Sequence, residues 1–289
     1  MHFLKIYVII FIVKKRKYKN ERNDLMTTQE RLNEHFKESL THFSKDQIVA
    51  IFLQGSQNYK LDLPTSDVDS KLIVVPSFRD IALNAKPVST TYIRENEEHI
   101  DEKDIRLYFQ TFRKGNPNFL EILFTPYFVI NPLYAKPWNK LLSKREEIAR
   151  LNPYRAIQAM KGVVLEKQHA MEHPYPSKMK ILEKYGYDCK QLHHLIRMDE
   201  FQERYIKGEK YADCLIPLDH EHLLQVKQNL YDLETARQVA NETVERVLER
   251  TEKYYFTHKN EENEETIKFL EDILYEVMEI AIKKEFENK

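Results

Sequence analysis

Ile48-Val49-Ala50-Ile51-Phe52-Leu53-Gln54 runs into Gly55-Ser56, and ten residues later Asp67-Val68-Asp69 opens a second run, Ser70-Lys71-Leu72-Ile73-Val74-Val75. Both runs are apolar and rich in β-branched residues, which predicts strands over 47–54 and 67–75, the second ending at Pro76. Between them stand Gln57-Asn58-Tyr59 and a loop, Lys60 to Ser66, that contains Pro64. Successive side chains of a strand point to opposite faces, so Asp67 and Asp69 project on the same side. Two like charges so placed repel unless a cation sits between them. A hard divalent ion such as Mg²⁺, which takes oxygen ligands and keeps positions open for phosphate, suits that place.

This arrangement resembles the DNA polymerase β-like nucleotidyltransferase superfamily. Its signature is a strand, Gly-Ser or Gly-Gly, a spacer of about ten residues, and Asp-x-Asp on the next strand. Leu53-Gln54-Gly55-Ser56 and Ser66-Asp67-Val68-Asp69 carry the likeness. Gly55 through Asp69, with Gly115-Asn116-Pro117-Asn118-Phe119-Leu120-Glu121-Ile122-Leu123-Phe124, is similar to a bacterial and phage branch of predicted nucleotidyltransferases. That branch includes the RNA-repair polymerase-β-like proteins, and the resemblance extends from Gln47 to Tyr205.

The resemblance implies transfer of a nucleoside monophosphate from an NTP, ATP among them, to a hydroxyl, with release of pyrophosphate. It also implies two Mg²⁺ or Mn²⁺ ions held by Asp67, Asp69 and a third carboxylate from a neighbouring strand. The β- and γ-phosphates would lie on the backbone after Gly55 and on the Ser56 hydroxyl. Asp101 is the choice for the third carboxylate, because His99 and Asp101 alternate on a short strand that feeds a helix. Asp101 reads almost equally well as the N-cap of that helix, with Asp104 at its third position, and Asp104 and Glu98 are the alternative ligands.

At 289 residues, 42% apolar and 31% charged, the chain has the composition of a soluble globular protein with one good core and a second helical unit. Cys189 and Cys214 have no metal-ligand spacing and suit a reducing cytoplasm. Residues 1–25 hold seven Lys/Arg against two acids, with an apolar run from Phe3 to Val13 followed by a basic cluster. The run is too short to span a bilayer and lacks a secretory cleavage site. We read it as an extension outside the native chain, with Met26 as the start, and expect no stable membrane association. From Met26 onward 38 basic residues face 44 acidic ones, which gives an RNA acceptor little support.

Thr27 or Thr28 caps an amphipathic helix carrying Leu32, Phe36, Leu40 and Phe43. A third strand is predicted over 88–94 and a short one at His99-Ile100-Asp101. Ile105, Tyr108, Phe109 and Phe112 then fall at helical spacing, and Gly115 ends their helix. Asn116 caps the next helix, with Pro117 at its first position. Prolines 126, 132 and 137 mark a connection. Helices are expected over 138–150, 153–172, 177–206, 218–257 and 264–286. The expected architecture is α+β: a small mixed sheet with flanking helices over 26–135, then an all-α half over 136–289 closing the cleft.

Residues 136–184 carry eleven Lys/Arg against five acids, mostly a solvated face, from which Lys161 is a candidate for the triphosphate. Lys190, His193, His194 and Arg197 form a basic stripe at i, i+3, i+4 and i+7 that would bind phosphate or an acceptor strand. Arg197 is its main nucleotide-binding candidate, and Glu121, in an otherwise apolar helix, is a candidate partner for one of these cations. The acceptor is an RNA end, a protein side chain or a small molecule. The competing reading is a catalytically silent nucleotide-sensing or interaction module that kept the fold.

Overall fold

The computed structural model describes residues 26–287, and the expectation about residues 1–25 lies outside them. The fold is α+β, a five-stranded mixed sheet with flanking helices followed by a helical C-terminal half. Thr27 starts α1 (Thr28–Ser39) through a capping box, its hydroxyl accepting from Glu30 N–H while the Glu30 carboxylate accepts from Thr27 N–H. The strands are β1 (Ile48–Gln54), β2 (Asp69–Val74), β3 (Ser89–Ile93), β4 (His99–Asp104) and β5 (Phe128–Ile130). They lie in the order β3-β4-β2-β1-β5, with β2 and β4 parallel and the other neighbours antiparallel.

Each sheet face has its own core. Leu72 and Val74 of β2, with Ile100 of β4, pack against Leu32 of α1 on one side. Ile73 of β2 and Phe52 of β1 join the larger cluster that continues through Trp138 and Tyr205 to Val277. The register of β1 against β2 shifts between Ile48 and Ala50, so Val49 and Ala50 both serve the larger cluster while Ile48 and Ile51 serve the smaller. Val68 belongs to the α1 side, and Asp67, Asp69 and Lys71 therefore face the helical half.

Asp104, not Asp101, ends β4 and caps α2 (Ile105–Arg113), accepting from Arg106 N–H at 2.9 Å. The expected strand of three residues is six long, and Asp101 lies in its interior. Gly115 follows α2 with φ of 63°, and a Cβ there would stand 2.7 Å from the Ala156 backbone, so only glycine lets the turn into Pro117–Leu120 pack this closely. The short edge strand β5 occupies what the prolines marked as a plain connection.

The helical half contains α3 (Ala135–Ser143), α4 (Pro153–Glu172), α5 (Cys189–Ile206), α6 (His220–Lys227), α7 (Leu233–Thr257) and α8 (Glu264–Glu287), with shorter helices between. Three of the expected helices are broken, the one over 138–150 by Lys144, which separates α3 from a short helix at Arg145–Ala149. Gly186, at φ of 81°, closes the helix Met179–Tyr185 before Asp188 caps α5, and Asn229, at φ of 69°, separates α6 from α7. Among the described residues, no helix is long and apolar enough to cross a membrane.

Candidate active site

Strand β1 ends at Gln54, and Gly55 takes φ of 117°, a conformation that disfavours any side chain. An added Cβ would meet nothing nearer than Gln57 Oε1 at 3.7 Å, so it is the backbone angle and not crowding that calls for glycine. The turn Ser56–Tyr59 is held from below by Asn58, whose amide donates to Leu53 O at 3.0 Å and accepts from the Thr125 hydroxyl at 2.6 Å. Gln57 Nε2 donates to Asp67 O at 2.7 Å and ties the turn to the start of the second strand. Gly55, Ser56, Asp67 and Asp69 thereby line one cleft of about 360 Å³, within the range of small-ligand pockets.

Asp69 Oδ1 accepts from the His99 backbone N–H at 2.9 Å and lies 3.2 Å from His99 Nδ1. Among the described residues nothing hydrogen-bonds its Oδ2 or the Asp67 carboxylate. Val68 N–H donates to Glu98 Oε1, and Arg31 donates to Ser66 O at 3.2 Å and pairs with Glu98. Glu98 Oε2 also accepts from His35 Nε2 at 2.9 Å and Arg94 Nη1 at 2.8 Å. Burial alone would raise the Glu98 pKa, but hydrogen bonds from His35, Asn96 and Arg31, with the Arg31 charge, hold it well below the usual range. Burial lowers the His35 pKa and keeps the ring neutral. Since Glu98 can only accept, Nε2 carries the proton and Nδ1 accepts from the Ser70 hydroxyl at 2.8 Å. This clamp fixes Asp67-Val68-Asp69 from the α1 side.

Across the cleft stand Lys190, His194 and Arg197 of α5, Lys167 of α4 and Lys227 at the end of α6. Arg197 is only 5% exposed and lies 3.8 Å over the Tyr59 ring. Lys227 Nζ donates to Leu61 O at 2.7 Å, which closes the helical half onto the loop before β2. Burial, then the Lys190 charge, lower the Lys227 pKa. Burial also drives the His194 pKa well below its usual value, so the ring is neutral. Glu121, 2% exposed, enters the floor beside the Gly55 amide. Burial pushes its pKa up to about 8 against the Arg197 charge and the Gly55 N–H, and its Oε2 has no partner.

The basic stripe expected on α5 divides. Lys190, His194 and Arg197 line the cleft, whereas His193 is fully buried with both ring nitrogens unpartnered and a pKa lowered to about 3, mainly by burial. Lys161 does not line the cleft. Its ammonium lies 5.9 Å from the Tyr255 ring centre, on another side of α4 from Val163 and Lys167, which do line it. Lys167 and Lys227 were missed because a lysine on a helix gives no sign of which neighbour it will face. Glu121 was noticed, but as an ion-pair partner instead of a cleft residue.

Asp101 is not brought to the cleft. It sits opposite Lys71 in the parallel β2–β4 register, with Lys71 Nζ at 3.3 Å and Lys103 Nζ at 3.5 Å from its Oδ2. Both ammonium groups lie 4.4 Å from the centre of the Phe119 ring. Burial lowers the Lys71 pKa and the Asp101 charge opposes that shift. The alternatives are placed elsewhere too. Glu98 is on the α1 face, and Asp104 holds Arg106 Nε at 2.9 Å and Nη2 at 2.6 Å. Among the described residues, no three of His, Cys, Asp or Glu are grouped so as to hold a metal ion.

No protein-family model matches the chain, and no curated protein matches it in sequence. Among solved structures, a nucleotidyltransferase-like protein from Exiguobacterium sibiricum is similar at 10% identity and a TM-score of 0.29, over 78% of this chain and 75% of that one.

Proposed function

We propose that the protein is a metal-dependent nucleotidyltransferase, moving a nucleoside monophosphate from an NTP to a hydroxyl. One observation carries this reading: Gly55, Ser56 and the carboxylates of Asp67 and Asp69 share a cleft with Lys190, Arg197 and Lys227. An oxygen of the acceptor forms a bond to the α-phosphorus as the bond to the β-phosphate oxygen breaks. Pyrophosphate leaves, and the acceptor proton passes to solvent. Lys190, Arg197 and Lys227 bind and orient the phosphates, with the Ser56 hydroxyl as a donor to them. Neutral Glu121 lets the anion approach without repulsion.

The donor set fits one hard cation. Both oxygens of Asp67 and Oδ2 of Asp69 are open, and Mg²⁺ is commonly held by one or two carboxylates together with substrate phosphates. Such an ion, when bound, supplies Lewis-acid charge against the phosphates. The set does not fit a second ion of the kind the superfamily resemblance implies, because Asp101 is engaged by Lys71 and Lys103. That engagement is also the observation favouring the second reading, a nucleotide-binding module without turnover.

The acceptor is an RNA end, a protein side chain or a small molecule, and free Cys189 and Cys214 suit a cytoplasmic setting. The test is pyrophosphate release from each of the four NTPs with Mg²⁺ or Mn²⁺, with and without tRNA, beside melting curves. Asp69→Asn should remove both turnover and the metal-dependent rise in melting temperature given by NTP. A rise without turnover would select the binding module, and no rise with any NTP would end the nucleotide reading.

A further inference from the structure

Glu121 opens a tight turn, Glu121–Leu123, and its chain neighbours Leu120 and Ile122 are both buried. A carboxyl in such a setting costs free energy for each hydrogen bond it fails to make. Here only half of it is satisfied: the Gly55 N–H reaches the carboxyl, while Oε2 has no partner. The Gly55 contact therefore falls on Oε1. An amide N–H can only donate, so Oε1 is the accepting oxygen and the proton of the neutral acid sits on Oε2. Arg197 lines the same cleft, and its Nε is likewise buried without a partner. The two residues are 2% and 5% exposed and lie within reach of each other's charge, yet among the described residues they form no ion pair. A carboxylic O–H and a guanidinium N–H are both donors, and an oxygen that accepts from both satisfies them together.

We propose that Glu121 is a binding residue of the phosphate site, its Oε2–H donating, together with Arg197 Nε–H, to one phosphoryl group of a polyphosphate. The inference rests on the nucleotidyltransferase reading and deepens it, by giving the cleft floor a direct contact with the ligand. A phosphoryl oxygen fits because it only accepts and brings the negative charge that Arg197 is without. A ligand amine or amide N–H would instead meet two donors. The burial that keeps Glu121 neutral also keeps water from Oε2, so the donor is in place before the ligand arrives. An ionised carboxylate at this position would repel the same phosphate. Glutamine keeps the function, since its Oε1 can take the Gly55 N–H while its Nε2 donates.

The experiment measures binding of tripolyphosphate in the presence of Mg²⁺ to the full chain at pH 7 by calorimetry. It compares the parent with Glu121→Gln and Glu121→Met, each checked for folding by urea denaturation. Glu121→Gln should bind within about threefold of the parent, because the donor is kept. Glu121→Met, which keeps the bulk and cannot donate, should bind about tenfold or more weakly, as expected for a lost hydrogen bond to a charged group. Glu121→Leu carries the same prediction if the methionine variant does not fold. An unchanged affinity in the apolar variant would mean that Glu121 does not touch the ligand. Tighter binding by both variants would mean a carboxylate that repels it, and a glutamine variant as weak as the apolar one would mean that no donor is at work. Each of these three results overturns the proposal while leaving the nucleotide reading standing. A parent protein that binds neither tripolyphosphate nor any of the four NTPs would instead remove the reading beneath it, and the inference with it.

Discussion

Replacing Glu121 by Gln removes a carboxyl that the fold holds near neutral and puts a group of nearly the same shape in its place. The parent carboxyl titrates at about 8 in the fold against an ordinary 4.5, with burial as the main cause. Below pH 4.5 the group is protonated in both folded and unfolded chains and carries no pH-dependent penalty. As pH rises the unfolded chain ionises first, so stability is lost progressively until pH passes about 8, and is flat beyond it. The gap between the two pKa values corresponds to roughly 5 kcal/mol in full, and about 3 kcal/mol of it has developed by pH 7. Glutamine cannot ionise. The variant should therefore match the parent near pH 4.5, exceed it by about 3 kcal/mol at pH 7, and by up to about 5 kcal/mol at pH 9. Urea denaturation of both proteins at half-unit intervals from pH 4.5 to 9 reads the difference directly. A difference that stays flat across that range would refute the assignment of a neutral Glu121 to the cleft floor.

Arg197→Met keeps much of the packing on Tyr59 but removes the charge. Affinity for tripolyphosphate, measured calorimetrically, should fall about 10- to 150-fold, the range for a lost charge-assisted contact of roughly 1.5–3 kcal/mol. Glu98→Gln should lower stability by about 3–5 kcal/mol, because Arg31 and Arg94 lose their buried counter-charge. The stability that Glu98 supplies is fully present above its ordinary pKa of 4.5 and is lost as pH falls towards its depressed folded value, so the parent but not the variant should weaken steeply on that limb. Gly55→Ala should lose roughly 1–3 kcal/mol by chemical denaturation from backbone strain alone, since its Cβ would have space, and an unchanged midpoint would contradict the strained turn.

The strands, the Gly-Ser turn and the shared face of Asp67 and Asp69 were legible because they depend on local rules: apolar runs, a glycine before a polar turn, and alternation along a strand. Asn116 and Pro117 gave the start of their helix for the same reason. What failed depended on partners distant in sequence. Asp101 was read as a ligand or a cap because neither possibility requires knowing that Lys71, thirty residues earlier, becomes its register neighbour. The helix breaks at Gly186 and Asn229 were overlooked because apolar spacing continues on both sides of them. Arg197 was expected to bind nucleotide and does line the cleft, but the Tyr59 ring that buries it was not legible from its own helix. Such burial is set by packing of one half of the chain on the other.

The charges around the cleft are kept apart, and that is the feature most at odds with a merely structural role. Asp67 and Asp69 form one edge, and Lys190, Arg197 and Lys227 the other. Among the described residues, none of these three cations forms an ion pair with either aspartate. Opposite charges facing a cavity of about 360 Å³ would gain by closing on each other unless something prevents it. Here the restraints can be named. Arg31, Glu98 and His35 hold the aspartate segment from the α1 side, His99 takes one oxygen of Asp69, Tyr59 holds Arg197, and Leu61 O holds Lys227. A lone anion would satisfy only the cationic edge and a lone cation only the acidic one. A ligand that satisfied both edges would carry both signs, as the metal-bound polyphosphate proposed above would, and the separation would let it enter without first breaking protein ion pairs.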